Sequence, residues 1–210
     1  MARSHTRSAT SARLLAVVES KVKSMAVRYP TGVRKNYEGK LLVAHPSVAD
    51  WFARTVIFVY QDDTNQGTMG LVLNKPTRIK VSDIIIEKGY NYAGTEHVYK
   101  GGPVNENAVF LLHEDNWYAS NTFQIGNSGL AITSDAVMME KLSMGNYPLG
   151  WRMCTGCAGW HPGQLQQEMN SLHGWLTCDA NSSIVFDQDG ERQWNKALQL
   201  CANQTIDSYF

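Results

Sequence analysis

Short apolar runs, separated by glycine and polar turns, divide the chain from about Lys40 onward into many small elements. β-Branched and aromatic runs predict strands, and apolar residues spaced three and four apart predict helices. The predicted strands are residues 40–44, 55–60, 69–74, 108–113, 123–125, 129–133, 149–154, 175–178 and 184–187. Short helices are predicted at residues 81–88, 135–141, 162–172 and 192–201. Because the strands come in hairpins and not in regular βαβ units, the order favours an α+β fold with a mixed, curved sheet.

The most distinctive stretch is residues 156–168, GCAGWHPGQLQQE. It predicts a strand, a glycine-rich turn and an amphipathic helix with Pro162 at its first position. Two interpretations are open. The exposed amides of the helix start, with Trp160, His161 and Gln164, form a small-ligand or anion site, or a tight turn places Trp160 in the core. No phosphate-loop or dinucleotide-binding glycine pattern is present.

Residues 11–29 predict a separate element, a basic amphipathic helix that ends at Pro30. Its apolar face consists of Leu14, Val18, Val22, Met25 and Tyr29. We therefore expect a basic N-terminal extension over residues 1–38 and an α+β domain over residues 39–210. The helix either packs on its own domain, docks a partner, anchors the chain to nucleic acid or an anionic surface, or is an organellar transit peptide. We expect a cytoplasmic protein, or an organellar one if residues 1–35 are a transit peptide.

Charge is unevenly distributed along a chain whose formal net charge is +0. Residues 1–35 hold eight Lys or Arg and one Glu, a net charge of +7, so the remainder carries −7. An acidic main domain argues against a broad nucleic-acid surface, so DNA contact is expected only through residues 1–35. No run of about 18 apolar residues predicts a membrane span. The expected partner is a protein or a small molecule.

The cysteines Cys154 and Cys157 form a C-x-x-C pattern, which is found in zinc and thiol–disulfide sites. Zinc would require a second close pair of ligands, but Cys178 and Cys201 lie far apart in the sequence. The pattern therefore favours ordinary reduced thiols, and we expect neither a metal nor a cofactor.

Several separate motifs, in the same order, resemble those of the AlgH/YqgE family of bacterial proteins. They are residues 39–44 (GKLLVA), 55–57 (TVI), 70–76 (GLVLNKP), 98–104 (VYKGGPV), 112–113 (LH) and 159–165 (GWHPGQL), with Asp50, Phe52, Glu168 and Trp175. The similarity runs from about Gly39 to about Leu200. The chain departs from the family pattern at Cys157, where the family usually has Tyr, and at Gln166, where it usually has Glu.

The resemblance implies an α+β domain with mixed sheets curled into a half-barrel, which here carries short helices and an additional N-terminal helical extension. It implies little about activity, because the family carries a transcriptional-regulator label but is mostly uncharacterised and has no established catalytic residues. We expect a non-enzymatic interaction or small-ligand-binding module. The alternative is a transcriptional regulator that contacts DNA through the basic N-terminal segment, and the third hypothesis is a hydrolase-like enzyme.

Candidate acid and base groups for an enzyme are His113, His161, Asp50 and Glu168, but no triad or metal-ligand spacing connects them. We predict a binding site where six side chains converge. They are Asn74, His113, Trp160, His161, Gln164 and Glu168. The shared site fails on geometry if His113 lies more than about two hydrogen-bond lengths from the Trp160 turn.

Overall fold

The computed structural model describes residues 35–170 and 174–207, which form a curled, half-barrel-like α+β domain. The strands are β1 (Lys40–Ala44), β2 (Val56–Asp63), β3 (Gly67–Val72), β4 (Pro76–Lys80), β5 (His97–Lys100), β6 (Val104–Glu114), β7 (Phe123–Gln124), β8 (Leu130–Thr133), β9 (Trp151–Trp160) and β10 (Trp175–Asp179). The helices are α1 (Val81–Glu87), α2 (Ala136–Ser143), α3 (Gln164–Met169), α4 (Ser182–Phe186) and α5 (Gly190–Asp207). The predicted basic helix of residues 11–29 lies outside the described residues.

The strands form one sheet in the order β10-β1-β2-β3-β9-β6-β8-β7. Neighbours along this order are antiparallel, whereas β5 pairs in parallel with β9 and antiparallel with β4. One edge of β9 pairs with β6, and the other edge is shared by β3 and β5. The predicted mixed, curved sheet with short helices is therefore confirmed, and β9 is the strand on which its two halves meet.

The largest core cluster joins the sheet to the closing helix α5. Phe58 and Leu71 are fully buried on the sheet and pack in one cluster with Trp194 and Leu198 of α5. The indole Nε1–H of Trp194 also donates to the carbonyl oxygen of Ala44 at 2.9 Å. Because apolar burial and a satisfied buried donor act together here, α5 is fixed firmly across β1.

The glycine-rich stretch after Cys154 forms part of a strand, so the prediction of a turn there is wrong. β9 continues to Trp160 through the left-handed backbone of Gly156 (φ 68°). Its pairing with β6 is irregular at this point, because it passes from Val109 opposite Thr155 to Val104 opposite Cys157. The extra residues, 105–108, therefore lie on β6, opposite Gly156.

Glycine is required here because two backbones approach closely. A Cβ atom on Gly102 would lie 2.1 Å from the carbonyl carbon and oxygen of Cys157, and one on Gly156 would lie 2.5 Å from the oxygen of Gly102. The glycines of the loop before β6 and Gly156 of β9 therefore allow two chain segments to cross.

Helix α4 and strand β4 also differ from the predictions. Residues 184–187, predicted as a strand, lie in and just after α4, because the Asn181 side chain accepts a hydrogen bond from Ile184 N–H at 2.9 Å and caps a helix. Strand β4 was not predicted, because most of its residues are exposed and polar and carry no apolar alternation.

Candidate functional site

The chain reverses direction between β9 and α3 through His161, Pro162 and Gly163. Gln164 N–H donates to the carbonyl oxygen of His161 at 2.9 Å, and Gly163 has φ 78° and ψ −10°. These values define a type II turn with Pro162 and Gly163 at its centre, so the prediction that Pro162 opens the helix is wrong. Helix α3 has only six residues, which gives the predicted anion site at its start a weak helix dipole.

Four of the six predicted site residues lie together around the Glu168 carboxylate. Its Oε2 atom accepts hydrogen bonds from the indole Nε1–H of Trp160 at 2.9 Å and of Trp175 at 2.8 Å. Its Oε1 atom accepts from Gln164 Nε2 at 3.0 Å, and Gln164 Oε1 accepts from His161 N–H at 3.1 Å. We call Trp160, Gln164, Glu168 and Trp175 the Glu168 cluster, since one carboxylate connects the end of β9, α3 and β10.

A row of aromatic side chains continues from the Glu168 cluster. The ring of Trp175 makes edge contact with Phe52 at 5.8 Å between centroids, and Phe52 contacts Trp51 at 4.8 Å. Lys75 Nζ lies 3.8 Å from the centroid of the Trp51 ring and donates to the Trp51 carbonyl oxygen. Burial lowers the pKa of Lys75, an effect that nearby Asp50 opposes. The polar atoms of this region are thus largely engaged with one another, while the His161 ring is exposed.

His113 lies at the opposite end of β9 from this cluster. It is fully buried on β6 opposite Trp151, which is nine residues, or about 30 Å of strand, from Trp160. Its Nδ1–H donates to the carbonyl oxygen of Glu114 at 2.7 Å, which leaves Nε2 to accept from the Thr133 hydroxyl at 2.9 Å. Burial lowers the pKa of His113. A neutral imidazole with both nitrogens bonded is therefore built into the core.

Asn74 holds a turn beside the start of α5. Its Oδ1 atom accepts from Val56 N–H at 2.9 Å, and its Nδ2 donates to the carbonyl oxygens of Arg54 at 2.7 Å and Gly190 at 3.0 Å. The structure therefore corrects the predicted convergence. Trp160, His161, Gln164 and Glu168 meet, whereas His113 and Asn74 lie apart from them, because β-pairing places the motifs of one sequence at different ends of a long sheet.

The C-x-x-C cysteines are buried core residues. Cys154 and Cys157 lie on β9 in the core cluster that also contains Cys178 and Cys201, and all four are free thiols. Burial raises the pKa of Cys154 to about 12 and also raises the pKa of Cys157. Thiols of this kind stay protonated at neutral pH and behave as small apolar side chains.

One open cavity has a volume of about 380 Å³ and lies between α1, β6 and α2. Its floor is apolar, with buried Met138 and Met139 beside Val109, and Lys88 and Tyr90 lie on its rim. We call it the methionine cavity.

Asp135, at the methionine cavity's edge, caps α2. Burial alone would raise the pKa of this carboxyl, but hydrogen bonds from the Ser120 hydroxyl and from the backbone of Met138 and Asn121 lower it. Ser134 also lines the cavity, and its hydroxyl donates to the Val109 carbonyl oxygen at 2.7 Å. Both polar side chains therefore have structural partners.

A smaller cavity has a volume of about 220 Å³ and lies where α4 and α5 approach β5 and β9. Buried Arg152 forms its back wall, with the guanidinium carbon 4.0 Å from the centroid of the Tyr99 ring. Asp187, Asp189 and Arg192 line its mouth. We call it the arginine cavity.

The sequence analysis did not identify Arg152. A charged residue within the predicted strand 149–154 was a usable indication, because an arginine among buried apolar positions needs dedicated partners.

Within residues 35–170 and 174–207, no group of three or more His, Cys, Asp or Glu side chains is arranged to hold a metal ion. Over the same residues, no helix is both long and apolar enough to cross a bilayer. The fold and these sites define a curled α+β domain that carries the methionine cavity, the arginine cavity and a structural carboxylate cluster at its most distinctive motif.

Comparison with known proteins gives the family of the chain. The AlgH-like family profile matches residues 41–205. A UPF0301 protein of Rhizobium meliloti is 32% identical over 174 residues, which cover 78% of this chain and 85% of the relative. A UPF0301 protein of Haemophilus influenzae is 33% identical over 169 residues, which cover 78% of this chain and 89% of the relative. The chain therefore belongs to the AlgH-like family, as the sequence motifs predicted.

Two solved structures share the fold. The solution structure of the AlgH protein from Pseudomonas aeruginosa is 28% identical with a TM-score of 0.67, covering 82% of this chain and 92% of that one. The crystal structure of a Corynebacterium diphtheriae protein is 25% identical with a TM-score of 0.64, covering 79% and 87%. These similarities support the curled α+β architecture from two further bacterial proteins.

Proposed function

We propose that this protein is a non-catalytic binding module that holds a small, partly apolar molecule in the methionine cavity. The observation that carries the proposal is the cavity itself. Its volume of about 380 Å³ falls within the range of about 300–1,000 Å³ typical of small-molecule sites. Its floor of Met138, Met139 and Val109 supplies apolar contact, and methionine side chains adapt to varied ligand shapes.

A positive charge at the rim of the methionine cavity indicates which polar group the ligand carries. The Lys88 ammonium group is exposed there, and among the described residues it has neither a hydrogen bond nor an ion pair. An acidic group on the ligand would pair with it while the apolar body covers the floor. A small carboxylic acid with an apolar body fits this arrangement.

Binding is favoured over catalysis by the engagement of two of the acid–base candidates, His113 and Glu168. His113 is a buried neutral imidazole with both nitrogens bonded, and the Glu168 carboxylate accepts three hydrogen bonds. Asp135 and Ser134 beside the cavity also have structural partners. A general base needs a free lone pair directed at substrate, whereas these side chains are already hydrogen-bonded within the folded domain.

The test compares two substitutions at neighbouring exposed positions of α2. Ala136→Trp fills the mouth of the methionine cavity, whereas Val137→Trp adds the same side chain beside it. Small apolar carboxylic acids that raise the melting temperature of the wild type should stabilise Val137→Trp equally and Ala136→Trp hardly at all. The proposal is wrong if no acid of a broad fragment library binds, or if binding survives Ala136→Trp.

The Trp160 turn supplies a contact surface for a macromolecular partner, separate from the methionine cavity. The polar side-chain atoms of Trp160, Gln164 and Glu168 are hydrogen-bonded within the turn. The exposed His161 ring is therefore the group that such a partner would contact. Loss of a stable complex on His161→Ala, with unchanged melting temperature, is the result expected of this surface.

A DNA-contacting regulator is the second candidate function, favoured by the net charge of +7 in residues 1–35. Contacts of this kind are made to phosphates and weaken steeply with salt. We expect the full chain to bind labelled duplex DNA at about 50 mM salt and to lose most of that affinity at about 200 mM. A chain beginning at Asn36 should not bind, and equal binding by that chain would assign the contact to the folded domain.

A further inference from the structure

The arginine cavity has a fixed positive charge at its back. Arg152 is only 4% exposed, and four of its N–H directions are used: Nη1 donates to the Leu73 carbonyl oxygen and to Gln193 Oε1 at 3.1 Å. Nη2 donates to the carbonyl oxygens of Gln188 at 2.9 Å and Phe186 at 3.4 Å. The guanidinium group therefore cannot turn away from the cavity.

Burial lowers the pKa of Arg152 and Asp189 is near enough to act in the opposite direction, but no described carboxylate forms an ion pair with its guanidinium group. Among the described side chains the ion pairs are Lys40–Asp179, Arg54–Glu191 and Lys100–Glu106, and none includes Arg152. Its partners are neutral oxygens and the face of the Tyr99 ring. Buried charges are normally paired, so the back of the cavity favours an incoming anionic group.

The mouth of the same cavity carries charges of both signs. Asp187, Asp189 and Arg192 are exposed there, and within the described chain none of the three forms an ion pair. The Tyr99 hydroxyl has no hydrogen-bond partner among the described residues either. The two carboxylates would repel a simple anion, and the two guanidinium groups would repel a simple cation.

We propose that the arginine cavity is a separate ligand site that binds a small zwitterion, a free α-amino acid. Its carboxylate lies toward Arg152, Arg192 and the Tyr99 hydroxyl, and its ammonium group lies toward Asp187 and Asp189. The site is distinct from the methionine cavity, so the proposal goes beyond the function given above.

The size of the cavity supports a ligand of this class. A volume of about 220 Å³ equals about seven water molecules at liquid density, which is enough for a molecule of about seven to ten non-hydrogen atoms. Free amino acids with short side chains fall in or near that range, whereas nucleotides and longer peptides are too large. The polar lining, with Phe186 as the apolar contact, favours a short side chain.

The experiment is isothermal titration of the full chain with each standard L-amino acid at up to about 10 mM, which detects dissociation constants in the millimolar range and below. N-acetyl and amide derivatives of any amino acid that binds test each ligand charge separately. The matching protein variants are Arg192→Gln and Asp189→Asn, both at exposed positions. Lys196→Gln, which removes an exposed cation elsewhere on α5, is the control.

We expect at least one amino acid to bind, with both derivatives and both cavity variants weakening its affinity about tenfold or more, and with Lys196→Gln unchanged. The proposal is overturned if no amino acid binds, or if an N-acetyl derivative or inorganic phosphate binds as tightly as the amino acid. It is also overturned if neither Arg192→Gln nor Asp189→Asn weakens binding. Because the methionine cavity is untouched by these variants, either proposal can fail while the other holds.

Discussion

Glu168 shows how one carboxylate can organise the most recognisable motif of a family. Two indole N–H groups and one amide converge on it from β9, β10 and α3. Indole has a donor and no acceptor, so each buried tryptophan needs an oxygen nearby. The Gly-Trp-His-Pro-Gly-Gln-Leu stretch with Glu168 therefore has a structural explanation that requires no ligand.

Glu168→Gln tests this explanation. The amide retains one acceptor oxygen and presents an NH₂ group to a donor, so at least one hydrogen bond is lost and two donors face each other. We expect the free energy of unfolding to fall by about 1–3 kcal/mol in urea titrations at pH 7. Glu87→Gln, at an exposed position of α1, should change it little. A Glu168→Gln protein as stable as the Glu87→Gln protein would show that the cluster contributes nothing to the fold.

His113 predicts a loss of stability in weak acid. Burial makes its pKa lower in the folded chain than the value of about 6.5 in the unfolded chain. The unfolded state therefore binds the proton first, so the stability present above about pH 6.5 is lost as the pH falls toward the folded-state pKa. The loss reaches about 1.4 kcal/mol for each unit by which the pKa is lowered.

The measurement is the free energy of unfolding between about pH 7.5 and pH 5.5. The wild type should lose more stability over this range than His113→Gln, which has no titrating group at that position. His97→Gln, at an exposed position, should follow the wild type. Parallel curves for the wild type and His113→Gln would contradict the assignment of a buried neutral imidazole.

At the scale of elements, β9 is the strand on which the two halves of the sheet depend. It pairs with β3, β5 and β6, and its Gly156 lies against the loop that precedes β6. The parallel partner β5 and the antiparallel partner β6 can both pair with β9 only if the loop between them passes very close to the backbone of β9. The glycines at the crossing are therefore requirements of the topology.

Gly102→Ala and Gly159→Ala separate this requirement from a general preference for glycine. A methyl group on Gly102 would overlap the Cys157 backbone at 2.1 Å, whereas one on Gly159 would meet Met69 Sδ at 3.4 Å. We expect Gly102→Ala to lower the free energy of unfolding by about 3 kcal/mol or more, and Gly159→Ala by less than about 1 kcal/mol. Thermal unfolding followed by circular dichroism measures both. Equal effects would mean that the backbones can move apart.

Local patterns in the sequence predicted most elements, and long-range pairing explains the failures. Residues 40–44 and 81–88 were assigned correctly because apolar spacing and turn residues are local. Residues 184–186 are β-branched or aromatic, yet the Asn181 cap makes them helical. The separation of His113 from Trp160 depends on the register of β6 against β9, which composition and spacing do not encode. Both cavities likewise arise from segments distant in sequence.

At the scale of the molecule, the described domain begins before the first strand. Tyr37 is 3% exposed and packs with Leu42 and Ile57, and its backbone N–H donates to Asp62 Oδ2 at 2.8 Å. Residues just ahead of the predicted boundary at Gly39 therefore contribute to the core.

Two shortened chains test where the folding unit starts. One begins at Asn36 and the other at Glu38, so they differ only by two uncharged residues. We expect the shorter chain to be less stable by about 2 kcal/mol or more, because it loses a buried aromatic side chain and a hydrogen bond to Asp62. Urea midpoints compare the two directly. Coincident midpoints would show that the unit starts at Glu38 or later.

The shared location of the four cysteines provides an internal reporter of motion. All four lie in one core cluster, with Cys178 Sγ 3.9 Å from the Ala197 carbonyl oxygen of α5 and with Cys201 on α5 itself. A thiol reagent in solution therefore reaches Cys178 and Cys201 only when that layer opens. The alkylation rate of the native protein then measures the opening of α5 from the sheet, without any added label. A ligand bound in the arginine cavity, which the first turn of α5 helps to form, would slow that chemistry in proportion to its occupancy.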